Sequence, residues 1–270
     1  MIKLVAIDID GTLLNDKREI TENVKNTIQE AKEAGVKIVI TTGRPLPGVR
    51  DILDQLNLRE EGDYVITYNG ALVQATDTGE EFIREPLSKE DFLEIETESR
   101  RIGVHMHAIT SSGIYTANRD IGRYSVHESF LVNMPLYYRT AEEMGNLEFV
   151  KMMYIDEPQI LDLAIEKLNK EFYEKYTIVK SAPFYLEILN KKASKGNAVM
   201  HLADKLGIEV EETMAIGDEE NDRSMLEVVG NPVVMGNGNP DIKKIAKYIT
   251  KSNNEDGVAH AIKTYVLGER

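Results

Sequence analysis

Cysteine is absent from the 270 residues, and so is tryptophan. Without a thiol there is no disulfide framework, no thiolate nucleophile and no Cys-ligated metal, which fits a chain held in a reducing, cytoplasmic compartment. No apolar run approaches the roughly 20 residues needed to span a bilayer, so a membrane role is not expected. Basic residues are in deficit, 32 Lys and Arg against 46 Asp and Glu, for a formal charge of −14 at pH 7. No basic stripe offsets that deficit, which argues against nucleic acid as a partner. An anionic substrate would have to be admitted locally, by a bound cation and a few placed Lys or Arg side chains. Internal repeats and low-complexity segments are also missing. The length suits two domains, each with its own core.

What is present starts at the N-terminus. Leu4-Val5-Ala6-Ile7 has no polar face, as expected of a strand buried on both sides of a parallel sheet. An Asp interrupts the run where a secretory core would continue, and no small-residue cleavage site follows. Asp8 and Asp10 stand two apart, a spacing that in extended structure sends both side chains to one face. Gly11 then lets the chain turn. Ligands bind at the carboxyl ends of strands in open α/β sheets, and two like charges placed there call for a cation. Hard oxygen ligands point to Mg²⁺. Taken alone, the segment also reads as an Asp-Gly surface turn, so partners elsewhere must decide.

Thr21 is placed to cap a helix running to about Ala34, with Gly35 to stop it. Val36 to Thr41 is the next strand and closes in Thr42-Gly43-Arg44, a strand, helix, strand unit that implies parallel pairing. The Thr42 hydroxyl and a nearby backbone N–H suit a phosphoryl oxygen, although a Thr at such a junction equally reads as a helix N-cap. Arg44 reads as an anion contact or as a solvated side chain. Asn69-Gly70, between Tyr64–Tyr68 and Ala71–Val73, predicts a tight hairpin.

From about Glu85 to Leu189 helical stripes alternate with strand pairs, the texture of an α+β domain inserted into the first. His105 and His107 share a strand face, but no third ligand accompanies them at a compatible spacing, so they are read as packed or solvated. Ser194-Lys195-Gly196 opens a helix that runs to Gly207. Thr213 to Ile216 is another short buried strand, ending in Gly217-Asp218-Glu219-Glu220-Asn221-Asp222. Two further strand and helix units resume the parallel pattern, so the first domain is discontinuous. Singly, Lys195 is an exposed helix lysine and 218–222 a solvated acidic loop; together they give three strand ends and a helix start that carry matched chemistry.

Four motifs now stand in order: D-x-D-G-T at 8–12, T-G-R at 42–44, S-K-G at 194–196 and G-D-x-x-N-D at 217–222. In that order, with room for an insertion between the second and third, the chain resembles the haloacid dehalogenase-like phosphohydrolases along its whole length. In detail it is similar to their Cof-type branch and to the YidA-like sugar phosphatases. The resemblance implies an α/β fold: a Rossmann-like, three-layer core with a parallel sheet from residues 1–84 and 190–270, and an α+β cap over 85–189 that sets specificity. It implies a Mg²⁺-dependent phosphatase of small phosphorylated metabolites, above all sugar phosphates, working through an aspartyl-phosphate.

On the same basis Asp8 would be the nucleophile, and Asp10 the general acid and then base. Asp8, Asp218 and the Asp10 backbone carbonyl would hold Mg²⁺, with Asp222 supporting the metal shell or Lys195. Thr42 and Lys195 would hold phosphoryl oxygens, with Gly43, Arg44 and Asn221 near the substrate. Glu219 stands where many relatives carry glycine and adds a carboxylate near the ion. Two rivals use similar chemistry. A sugar phosphomutase would return the phosphoryl group to its substrate, and a phospho-accepting signalling module would retain it. A homodimer is left open.

Overall fold

The computed structural model describes residues 1–268. Their strands are β1 Leu4–Asp8, β2 Lys37–Thr41, β3 Tyr64–Thr67, β4 Leu72–Ala75, β5 Glu81–Arg84, β6 His105–Ile109, β7 Ile114–Thr116, β8 Leu136–Tyr138, β9 Lys151–Ile155, β10 Tyr176–Ala182, β11 Tyr185–Asn190, β12 Thr213–Gly217, β13 Asn231–Val234 and β14 Tyr248–Ile249. The chain divides into two compact units, Met1–Ile83 with Ser194–Arg270, and Arg84–Ala193. Among the described residues no helix is long and apolar enough to cross a membrane.

The first unit is α/β. Its sheet runs β14-β13-β12-β1-β2-β3-β4-β5, with β1 paired in parallel to both β12 and β2. Alternation along β1 explains its unbroken apolar run. Val5 and Ile7 belong to one core layer with Val24, Ile28 and Ala31, while Leu4 and Ala6 belong to the opposite layer with Val199, Leu202 and Met225. Helices therefore cover both faces, and no position from Leu4 to Ile7 is left for a polar side chain. The helix Glu22–Glu33 begins where its cap places it, with the Thr21 hydroxyl accepting from the Val24 N–H at 3.3 Å. Register places Asp8 opposite Thr41 and Ile7 opposite Ile216. Three neighbouring strands thus end side by side, and their carboxyl ends carry three of the motifs.

The hairpin at Asn69-Gly70 is longer than a two-residue turn. β3 and β4 pair antiparallel with Thr67 opposite Leu72, so residues 68–71 form the connection. The reason lies in where the backbone donors go: Tyr68 N–H bonds the Arg44 carbonyl and Asn69 N–H the Thr42 carbonyl, not a partner strand.

The second unit is α+β. Its sheet, β10-β11-β9-β6-β7-β8, is antiparallel except for the β7–β8 pair. One face carries Met106, Ala108, Met152, Tyr154, Leu186 and Ile188, packed in a single cluster with Phe92, Ile95 and Leu161 from two helices. The alternate positions bury the polar His107, Lys151 and Glu187 beside the apolar Ile109, Met153, Ile155 and Leu189. Asn190 stays with this unit, because its Nδ2 donates to the Pro86 carbonyl at 2.8 Å.

Neither histidine of the predicted pair joins a group of three metal-ligating side chains among the described residues. His105 Nδ1 lies 2.8 Å from Asp156 Oδ2, while the His107 ring sits 3.2 Å from both Ser125 Oγ and Met153 Sδ. Burial, aided by the Lys151 charge, pushes the His107 imidazole down from 6.5 to about 3. The unfolded chain takes up this proton near its ordinary value and the folded chain does not. The neutral ring therefore contributes stability that is complete above about pH 6.5 and is lost as pH falls toward 3. Melting followed between pH 7.5 and 4.5 should show a smaller fall in Tm for His107→Gln than for the parent chain. An unchanged pH slope in the variant would clear His107 of this role.

Candidate active site

Asp8 is the last residue of β1 and is buried there. Its partner is Lys195, first residue of the helix Lys195–Lys205, whose Ser194 cap accepts from the Asn197 N–H at 3.1 Å. Lys195 Nζ donates to Asp8 Oδ1 at 2.5 Å and to Asp222 Oδ1 at 2.7 Å. The side chain is 1% exposed, a burial that an ammonium tolerates only with charged, hydrogen-bonded partners.

Asp222 is fully committed. Its second oxygen accepts from the backbone N–H of Asp218 at 2.9 Å and of Glu219 at 3.2 Å, which clamps the loop after β12. Asp218 is fixed in turn by the Thr12 hydroxyl, which donates to Oδ1 at 2.9 Å. Gly11 makes that approach feasible. Its φ of +81° suits glycine, and a Cβ there would stand 2.3 Å from Asp218 Oδ2. Oxygens of Asp8, Asp218 and Asp222 all lie within 4.8 Å of one another.

One ammonium cannot balance three buried carboxylates. Burial pushes the Asp8 carboxyl up to about 8, against the attraction of Lys195 and with added repulsion from Asp222 and Asp218. Burial likewise raises Asp218 to about 7, with the Asp222 charge adding to it and the Thr12 hydrogen bond opposing it. Burial by itself would discharge Lys195, but Asp222 and Asp8 overcome it and hold the ammonium above the ordinary lysine range. Excess negative charge among oxygen-only donors fits a hard divalent cation, since imidazole and thiolate are both missing from the cluster.

The remaining predicted residues fall into two groups. Thr42 is buried beside the cluster's strand ends, where its hydroxyl oxygen accepts from the Arg44 N–H at 3.1 Å and keeps its own hydrogen to donate. Gly43 and Arg44 follow it in the same loop. Asp10, by contrast, does not share a strand face with Asp8. β1 stops at Asp8, the two-residue period stops with it, and the turn through Gly11 leaves Asp10 exposed. Its carboxylate instead accepts both of its bonds from Arg44 Nη2, at 2.6 and 2.9 Å. Asn221 is exposed, and Glu219, also exposed, accepts from Asn239 Nδ2 at 3.2 Å outside the triad. Thr12 was not singled out from the sequence. Its only signal was its place as the fifth residue of the first motif.

A parallel-rich core with a buried, lysine-held carboxylate at its central strand end defines the class. The chain belongs to the haloacid dehalogenase-like hydrolases, whose family model matches residues 5–262. A Streptococcus pyogenes serotype M6 protein that carries a provisional phosphatase name is 64% identical over 266 residues, covering 98% of this chain and 99% of the relative. Bacillus subtilis YxeH, also provisionally named a phosphatase, is 49% identical over 270 residues and covers 100% of both. A solved HAD subclass IIB sugar phosphatase superposes with a TM-score of 0.78 at 26% identity, over 97% of this chain and 98% of that one. Family and relatives together support a phosphatase.

Lys195→Met should lower the unfolding free energy at pH 7.5 by about 3–5 kcal/mol, because it strands buried carboxylates without their counter-charge. Urea titration in chelator checks it. Stability equal to the parent's would mean that the carboxylates do not depend on Lys195.

Proposed function

We propose that the protein is a Mg²⁺-dependent phosphomonoesterase of small phosphorylated metabolites, sugar phosphates above all, that works through an aspartyl-phosphate on Asp8. One observation carries the reading: Asp8 is buried at the end of the central strand, with one oxygen held by Lys195 and with Asp218 and Asp222 oxygens within 4.8 Å. With Oδ1 engaged, Oδ2 is the atom that attacks phosphorus. Lys195 also neutralises the incoming phosphoryl oxygens, and the Thr42 hydroxyl donates to one of them. The Asp8 O–P bond forms as the ester O–P bond breaks, and Asp10 protonates the departing oxygen. Asp10 then takes a proton from water, which attacks the aspartyl-phosphate and releases inorganic phosphate and the Asp8 carboxylate.

Mg²⁺ held by Asp8, Asp218 and the Asp10 backbone carbonyl would supply the positive charge that keeps the carboxylates ionised and offsets the phosphoryl charge. Asp222, with both oxygens engaged, serves Lys195 and the loop after β12. Arg44 donates to the Asp10 carboxyl at the solvent side, and Gly43 and Asn221 lie where the substrate enters. Residues 85–189 select the leaving group. The sugar assignment is supported by the subclass IIB sugar phosphatase likeness and by nothing in the core chemistry, which does not specify a leaving group.

Phosphate release from a panel of phosphorylated metabolites, with Mg²⁺ and in excess chelator, tests the reading as a whole; full turnover in chelator would overturn the cation's role. Asp8→Asn should abolish reaction with every substrate. Asp10→Asn should slow a sugar phosphate by about 10²–10⁴-fold, since the alkoxide needs a proton. With p-nitrophenyl phosphate the leaving group departs unaided, so the same variant should give a nitrophenol burst stoichiometric with enzyme and then slow turnover. Equal losses on both substrates with no burst would assign Asp10 a structural role.

A further inference from the structure

The connection between β3 and β4 touches both anion-binding motifs, and the mechanism above uses none of its residues. Tyr68 and Asn69 take left-handed φ values of 51° and 54°, and Gly70 takes 98°. Two successive non-glycine residues in that region, one of them aromatic, are uncommon. Such backbone persists where the surroundings over-determine it, and it clusters at functional sites. The surroundings here are specific. Asn69 N–H donates to the Thr42 carbonyl at 2.9 Å and Tyr68 N–H to the Arg44 carbonyl at 3.3 Å. The Thr-Gly-Arg loop is therefore pinned from one side by two amides. The buried Asn69 side chain also fills the space beside Gly43, where a Cβ would meet it at 3.1 Å. On its far side the same turn presses on the start of the lysine helix. A Cβ on Gly70 would stand 2.1 Å from the Ser194 carbonyl oxygen and 2.8 Å from Lys195 N.

We infer that Tyr68-Asn69-Gly70 is a positioning element of the phosphoryl site, which sets the Thr42 hydroxyl and the Lys195 ammonium against one another so that both meet the same phosphoryl group. The inference rests on the phosphatase reading for its ligand. Its physical basis is that donors from two distant chain segments need a rigid common reference, and a misplacement of about 1 Å can cost about 10²-fold in rate. Asn69 supplies that reference through its conformation, and Gly70 through its lack of a side chain.

The test uses the full chain with Mg²⁺ and three variants: Gly70→Ala, Asn69→Gly and Asn69→Val. For each, kcat and KM with p-nitrophenyl phosphate, the affinity for inorganic phosphate by calorimetric titration, and the melting temperature are measured. Gly70→Ala should lose about 10²-fold in kcat and about tenfold in phosphate affinity, the weight of one misaligned hydrogen bond, while remaining folded. Asn69→Gly, which adopts the left-handed conformation without strain, should rescue the behaviour that Asn69→Val loses. Parent-like kcat and phosphate affinity in Gly70→Ala would overturn the inference, as would a loss confined to melting temperature. Should Gly70→Ala not fold, equal phosphate affinity in the two Asn69 variants would overturn it. Should the parent hydrolyse no phosphate ester, the functional reading falls, and the phosphate titrations of the same variants still decide the role of the turn.

Discussion

The ammonium of Lys195, buried between the carboxylates of Asp8 and Asp222, is the interaction on which the rest of the core depends. It joins a strand end near the N-terminus to a loop more than 200 residues later, through a helix that follows the insertion. Each partner would be costly in its place without the others, because a buried charge is stable only when paired and hydrogen-bonded. The pairing explains the local architecture around it. Asp222 spends its second oxygen on two amides of its own loop, which places Asp218, and Thr12 fixes Asp218 from the other side.

Charge is left over after these bonds are counted, and that surplus is the link from structure to chemistry. Burial, with repulsion among the three carboxylates added to it, raises Asp8 and Asp218 well above the ordinary carboxylate range. A structural network would be expected to close its own balance. One that stays open, at the carboxyl edge of a parallel sheet and lined with hard oxygen donors, fits a bound cation. The globally acidic chain makes that local arrangement the more necessary, since no long-range field draws a phosphate in.

Legibility differed by the range of the interaction. The buried strands β1, β2 and β12 were visible as short apolar runs, because a strand covered on both faces is apolar through its middle and turns polar only at its ends. The helix after Thr21 was visible through its cap and its stripe. The candidate site was visible as a set of residues, because oxygen donors, a hydroxyl and a lysine at the ends of such elements carry a chemical signature even without coordinates. The face shared by Asp8 and Asp10 was misjudged, since the two-residue period holds only while the strand lasts and β1 ends at Asp8. For a related reason Thr12 was passed over, and Asn69-Gly70 was read as a tight hairpin and nothing more. Their roles are contacts with segments far away in the chain, and no local pattern announces them.

The sequence by itself determined the alternation of buried strands and helices, the interruption of the parallel pattern near residue 85, and the residue types that gather at the strand ends. Periodicity, capping and turn chemistry act over a few residues and can be read there. Only the tertiary structure decided which carboxylates form the triad, that Asp10 turns to Arg44, that Asp222 is spent on Lys195 and two amides, and that a glycine at 70 lets the lysine helix begin where it does. Those outcomes depend on distances of a few ångströms between segments that the chain order keeps far apart, and register and packing alone set such distances.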